Sequence, residues 1–171
     1  MEPVPVTGPS DDGKPETLVD SFEEFYRAAR DDVARALVLT LGDRDLGVEA
    51  ADEAMLRAFQ HWDRVGGYER PEGWVYRVGL NWARSVWRKR HRETGDVFAV
   101  SPVDDRVRDV DVERALASLE VPYRAVVVLR LYLDWSVEAT AVALGVKPGT
   151  VKSRMSRAVA RLEEALGGED R

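Results

Sequence analysis

From Phe22 to Leu166 the apolar residues of this chain recur at intervals of three, four and seven, and no stretch alternates apolar with polar residues as a half-buried strand would. That period restricts the chain to helices that each bury one stripe, and therefore to an all-α fold. Phe25, Tyr26, Ala29, Val33, Ala36 and Leu37 form the first stripe, on a helix that Ser21 is placed to cap. Gly42 and Asp43 interrupt it, and Val48, Ala51, Met55, Phe59 and Trp62 then line one side of a second helix that stops at Gly66 and Gly67. Pro71 suits the first turn of a third helix, with Val75, Val78, Trp82 and Val86 inward and Arg84, Arg88 and Lys89 outward.

The helical period lapses twice, and the lapses set the expected domain organisation. Residues 1–19 are rich in Pro, Gly, Asp and Ser and read as a disordered acidic leader. Residues 93–110, with Thr94, Gly95, Ser101 and Pro102, read as a flexible linker. Two small helical domains follow from this, a bundle over 20–92 and a second unit over 111–167. In the second, Val112, Ala115, Leu116 and Leu119 make a short helix, and Pro122 opens another through Val126, Leu129 and Leu133. Ser136 can cap a short helix ending at Leu144, Gly145 supplies a tight turn, and Pro148 starts a final helix reaching about Leu166.

Composition narrows the function classes. The absence of cysteine excludes disulfides, thiolate metal sites and a cysteine nucleophile. The longest apolar run, residues 125–129, is far below the roughly 20 residues needed to cross a bilayer, and the N-terminus lacks the basic and apolar segments of an export signal, so a cytoplasmic protein without membrane insertion is expected. With only His61 and His91 available, no phosphate-cradling glycine loop and no carboxylates clustered on a shared face, neither an enzyme nor a metal or cofactor site is expected. The net charge of −6 conceals two cationic islands, residues 84–92 and 147–161, with no acid inside either.

Residues 136–158 have the layout of a helix-turn-helix, with the small Ala141 between packed helices, Gly145 at the turn and a basic second helix. Val151, Met155, Ala158 and Leu162 fall on one side of that helix, so Ser153, Ser156 and Arg157 face outward, flanked by Thr150, Lys152, Arg154 and Arg161. Such a face can enter a major groove, where Arg157 or Arg154 suits guanine and the hydroxyls and Lys152 suit phosphates. A solvated basic helix has the same composition, but the turn glycine, the packed alanine and the cations in one register favour DNA binding.

Leu144, Gly145, Gly149, Thr150, Val151, Lys152, Ser153, Arg154, Arg157 and Ala158 resemble the LG...GTVKSR..RA signature of the second conserved domain of bacterial sigma factors, in particular the extracytoplasmic-function (ECF) type. Residues 116–131 are similar to that family's preceding helix, although Glu120 and Val121 interrupt its usual Leu-Pro pair. In the first domain Trp74, Val75, Tyr76, Arg77, Val78, Asn81, Ala83 and Arg88 resemble the WLYRVARN.A....R segment. The resemblance implies a non-catalytic specificity subunit, an alternative sigma factor that binds core RNA polymerase and directs initiation at particular promoters. By it, Thr150, Lys152, Ser153, Arg154, Arg157 and Arg161 would contact the minus-thirty-five element, while Tyr68, Asn81, Arg84, Arg88 and Lys89 would bind the minus-ten element and promote strand opening. Glu49, Asp52 and Glu53 would meet the β′ clamp helices, with Asp52 standing where the family carries a neutral amide. The β flap, promoter DNA and an anti-sigma factor complete the implied partners. Trp74 and Trp82 continue helical stripes and are expected in the core. A free-standing regulator could share the helix-turn-helix but would not need Asn81 and an aromatic loop beside a second basic helix.

Overall fold

The structure, a computed structural model, describes residues 18–92 and 110–167, among which there are helices and no strands. The expected leader, but for its last two residues, and the expected linker, but for Val110, lie outside the described residues.

Helix α1 spans Leu18–Leu41, so it starts three residues ahead of Ser21. Ser21 is not its cap: the Ser21 hydroxyl accepts a hydrogen bond from Trp62 Nε1 at 3.2 Å. Gly42, at φ +66°, turns the chain, and Asp43 caps α2 (Arg44–Gln60) by accepting from the Leu46 amide at 3.0 Å. The second stripe does not run unbroken to Trp62. His61 interrupts it, and Trp62 opens the single-turn α3 (Trp62–Val65). Pro71 begins α4 (Pro71–Arg90), whose buried side is Gly73, Val75, Tyr76, Gly79, Leu80 and Ala83. Trp74, Val78, Trp82 and Val86 sit at its margin, half-buried. Helices α1, α2 and α4 enclose a core in which Leu37, Leu41, Met55, Val65, Val75 and Tyr76 are the large buried side chains. Within it Thr40 Oγ1 and the Tyr76 hydroxyl share a 2.7 Å hydrogen bond, and burial pushes the Tyr76 hydroxyl pKa up.

The second half comprises α5 (Val110–Ala117), α6 (Val121–Val127), α7 (Val137–Leu144) and α8 (Pro148–Gly167). Helix α6 widens into one π turn over Val128–Tyr132, after which Asp134 takes a left-handed φ of 53° and Trp135 folds back to donate its amide to the Leu129 carbonyl at 3.0 Å. Leu116, Leu119, Val127 and Ala158 form one small core, and Val126, Ala141 and Val151 another. Val112, expected on the inner stripe, is half exposed.

The two halves are not held apart. Val128, Leu129, Trp135 and Ala143 belong to the same apolar cluster as α1, α2 and α4. Beside that seam, the buried Arg124 donates from Nη1 to the Thr40 carbonyl at 3.0 Å and from Nη2 to the Leu119 carbonyl at 2.7 Å. Thr40 is one of the last four residues of α1, whose carbonyls have no acceptor role inside the helix, so the guanidinium of one half closes the carboxyl end of a helix in the other.

Candidate nucleic-acid interface

The turn between α7 and α8 is fixed at both ends. Ser136 Oγ accepts from the Ala139 amide at 3.0 Å, and at the other end Gly145 adopts φ +64° while the Val146 amide reaches the Ala141 carbonyl at 3.0 Å. Ala141 is buried against Val126 and Val151, so α8 is seated on α7 through a side chain too small to push the helices apart. That packing decides which face of α8 looks outward. Lys152, Ser153, Ser156, Arg157 and Arg161 are exposed, and Thr150 and Arg154 are half-buried. Arg161 lies over the Tyr123 ring at 4.8 Å and pairs with Glu120 at 3.8 Å, which fixes its stem at the edge of the face. The upstream-element residues expected from sequence are thus gathered on one helix side, with Arg157 fully presented and Arg154 less so.

On α4, Arg77, Asn81, Arg84 and Arg88 stand four, three and four residues apart and form a second polar stripe, opposite the buried Val75 and Gly79. Asn81, Arg88 and Lys89 are exposed, and the last turn carries Arg88, Lys89 and Arg90, where cations favour the carboxyl end of a helix. Arg84 departs from expectation: it is half-buried rather than outside. Burial first, and the neighbouring positive charges of Arg154 and Arg88 after it, hold its pKa below the ordinary guanidinium range against an opposing contribution from Tyr76. Tyr68, in the turn before α4, is 41% exposed, so its ring is available for stacking. Together with Trp74 and Arg77 it lines a cleft of about 580 Å³ whose other wall is α7.

The acids expected to meet polymerase lie on α2, already engaged by neighbours. Glu49 pairs with Arg90 at 3.5 Å, Asp52 with Arg30 at 2.7 Å and Glu53 with Arg57 at 2.8 Å. The same outward stripe continues at Leu56, 52% exposed, and Phe59, 47% exposed, although Phe59 was expected inward. Leu56 was legible as an apolar residue seven positions after Glu49 and off the inner stripe. Among the described residues no group of His, Asp and Glu is disposed to hold a metal ion, and no helix is long and apolar enough to cross a membrane.

Residues 109–162 match the family "Sigma-70, region 4". The chain is 32% identical over 158 residues to the RNA polymerase sigma-E factor of Streptomyces coelicolor, covering 87% of this chain and 88% of that protein. It is 33% identical over 152 residues to the ECF RNA polymerase sigma factor SigM of Mycobacterium tuberculosis, covering 86% and 78%. Among solved structures it is similar to the sigma factor RpoE of Bartonella quintana, determined in complex with the anti-sigma factor NepR, with a TM-score of 0.72, 25% identity and coverage of 88% and 98%. The fold is shared with CnrH in complex with the cytosolic domain of CnrY, at a TM-score of 0.61 and 23% identity.

Proposed function

The chain belongs to the ECF sigma factors of RNA polymerase and directs promoter-specific transcription initiation, and we propose that it divides this task among α8, α4 and α2. In this reading α8 enters the major groove of the minus-thirty-five element, with Arg157 and Arg154 on base edges and Thr150, Lys152, Ser153 and Arg161 on phosphates. Helix α4 and the turn before it take the minus-ten element: Asn81 bonds a base edge, Tyr68 stacks on a base of the separated strand, and Arg84, Arg88 and Lys89 neutralise phosphates. Capturing exposed bases shifts the duplex toward the open form by their binding energy, so no nucleotide hydrolysis is required of this chain. It acts as a non-catalytic, cytoplasmic specificity subunit.

The outward stripe of α2 is the proposed dock for the β′ clamp helices. Its acids Glu49, Asp52 and Glu53 supply charge, and the exposed Leu56 and Phe59 supply the apolar area that surface ion pairs alone do not. The second half meets the β flap. An anti-sigma factor is a further partner, as for the Bartonella RpoE complex. The observation that carries the whole reading is the cationic outer side of α8, fixed by the buried Ala141, Val151 and Ala158. Core polymerase supplemented with the chain should yield runoff transcripts from a cognate promoter identified by sequencing transcripts after overexpression, and core polymerase alone should not. Absence of any complex with core polymerase at low salt sinks the proposal.

A further inference from the structure

Resting on the assignment of α2 to polymerase, the geometry points to Arg30 of α1 as the positioning residue of that dock: it fixes the Asp52 carboxylate and cancels its charge, so that the clamp helices can cover it. The grip is forked onto one oxygen. Arg30 donates from Nη2 at 2.7 Å and from Nε at 3.2 Å, both to Asp52 Oδ1, while Nη1 reaches Asp31 at 3.3 Å. Asp52 Oδ2 is left without a partner among the described residues, open to a donor from another molecule. The hydrogen bond to Asp52, ahead of any other influence, holds the Arg30 pKa above the ordinary guanidinium range although burial opposes it.

Of the ion pairs that hold the three acids of α2, this one is built into the fold. Glu53 and Arg57 pair within α2, and the pair of Glu49 with Arg90 spans 3.5 Å between side chains that are both more than half exposed. Such pairs exchange readily with water and contribute little. Arg30 instead crosses from α1 to α2 with only 26% of its side chain exposed, so its long stem is already ordered by packing.

The pair also lies within apolar surface. Asp52, Leu56 and Phe59 stand four and three residues apart on one side of α2, and Tyr26 precedes Arg30 by one turn on α1. Phe22 ties the rings together, at 5.0 Å from Phe59 and 6.1 Å from Tyr26, so Tyr26, Leu56 and Phe59 form one exposed apolar area across both helices. On the other side of the pair, Arg30 lines a groove of about 670 Å³ with Ala34, Val38 and Val48. A partner that covers Leu56 and Phe59 therefore takes Asp52 out of water as well. An unpaired carboxylate would oppose that step by its desolvation cost. A carboxylate already neutralised by a held guanidinium loses far less, and it still offers Oδ2 to the partner.

The test titrates the full chain, labelled with fluorescein at its N-terminus, with core RNA polymerase. Arg30→Met keeps the apolar stem and removes the cation, and its affinity should be roughly tenfold or more below that of the parent. Asp52→Asn is isosteric and neutral and removes the need for the cation, so the double variant Arg30→Met, Asp52→Asn should return to within about threefold of the parent. A role of Arg30 in packing alone predicts no such rescue. Affinity of each variant for a mixed-sequence DNA duplex should match that of the parent, because α8 is untouched, and this reports that the chain is folded. Should Arg30→Met fail that check, Arg30→Gln takes its place with the same expected loss and rescue. A single variant that binds core polymerase as well as the parent, or a double variant no tighter than the single, overturns the role of Arg30. A parent chain that does not associate with core polymerase removes the assignment of α2 instead, whereas a parent that associates and variants that match it remove only the inference about Arg30.

Discussion

Arg157 and Lys152 are both exposed on α8, yet they should fail differently when removed. A guanidinium that forks onto guanine reads one base pair, so Arg157→Ala should cost about 1–3 kcal/mol on the cognate upstream element and nearly nothing on an element already altered at that pair. An ammonium on a phosphate carries no sequence information, so Lys152→Ala should weaken binding to both elements equally and reduce the salt slope by about one. Anisotropy titrations of the two variants on the two duplexes check this, and a uniform loss for Arg157→Ala would reassign it to phosphate. In the proposed division of the task Asn81 serves a later step. It is exposed on α4 beside the cations but carries no charge, so Asn81→Ala should leave initial polymerase–promoter association nearly intact while lowering permanganate reactivity of the opened strand. Unchanged reactivity would remove it from strand capture.

Three helices meet where α4 lies against α1 and α2, and a glycine makes that approach possible. A β-carbon at Gly79 would stand 2.8 Å from Leu37 Cδ1 and 3.0 Å from the Ala50 carbonyl oxygen. The first can swing aside, but the second is backbone, so Gly79→Ala should destabilise the first half by about 1–3 kcal/mol despite the better helix propensity of alanine. Gly149→Ala is the contrasting case, since a β-carbon there meets nothing within 4 Å. Urea melts of the two variants should move in opposite directions or leave Gly149→Ala unmoved; equal destabilisation would contradict the packing account. At this scale much was legible. Gly42, Asp43, Pro71, Ser136, Gly145 and Pro148 mark turns and helix starts because each acts through its own backbone or cap chemistry. The start of α1 was misplaced because Ser21 also looks like a cap, whereas its hydroxyl is used by Trp62, 41 residues away.

What the sequence could not convey is how the halves sit together. A helical period reports that a stripe is buried and is silent about which element buries it, so Trp135 and Ala143 give no sign that their cover is α4. The same limit left Arg84 on the outside and Arg124 unremarked, since a lone arginine in an apolar stretch ordinarily points to solvent. Charge shows the converse relation between part and whole. A net charge of −6 taken over the molecule predicts repulsion from DNA, but at physiological salt charges beyond about 8 Å are largely screened, so in the proposed reading the local cations of α8 should decide. Four of them, Lys152, Arg154, Arg157 and Arg161, lie on or beside its outer face. If each displaces counterions from one phosphate, the logarithm of affinity for duplex DNA should fall against the logarithm of salt with a slope of about −3.6, or about 150-fold between roughly 50 and 200 mM. A slope near −2.7 would mean that Arg161 stays with Glu120 and Tyr123 instead of turning to the backbone. An affinity indifferent to salt would mean that the acidic whole, and not the cationic helix, governs the encounter, and α8 would lose its assigned role.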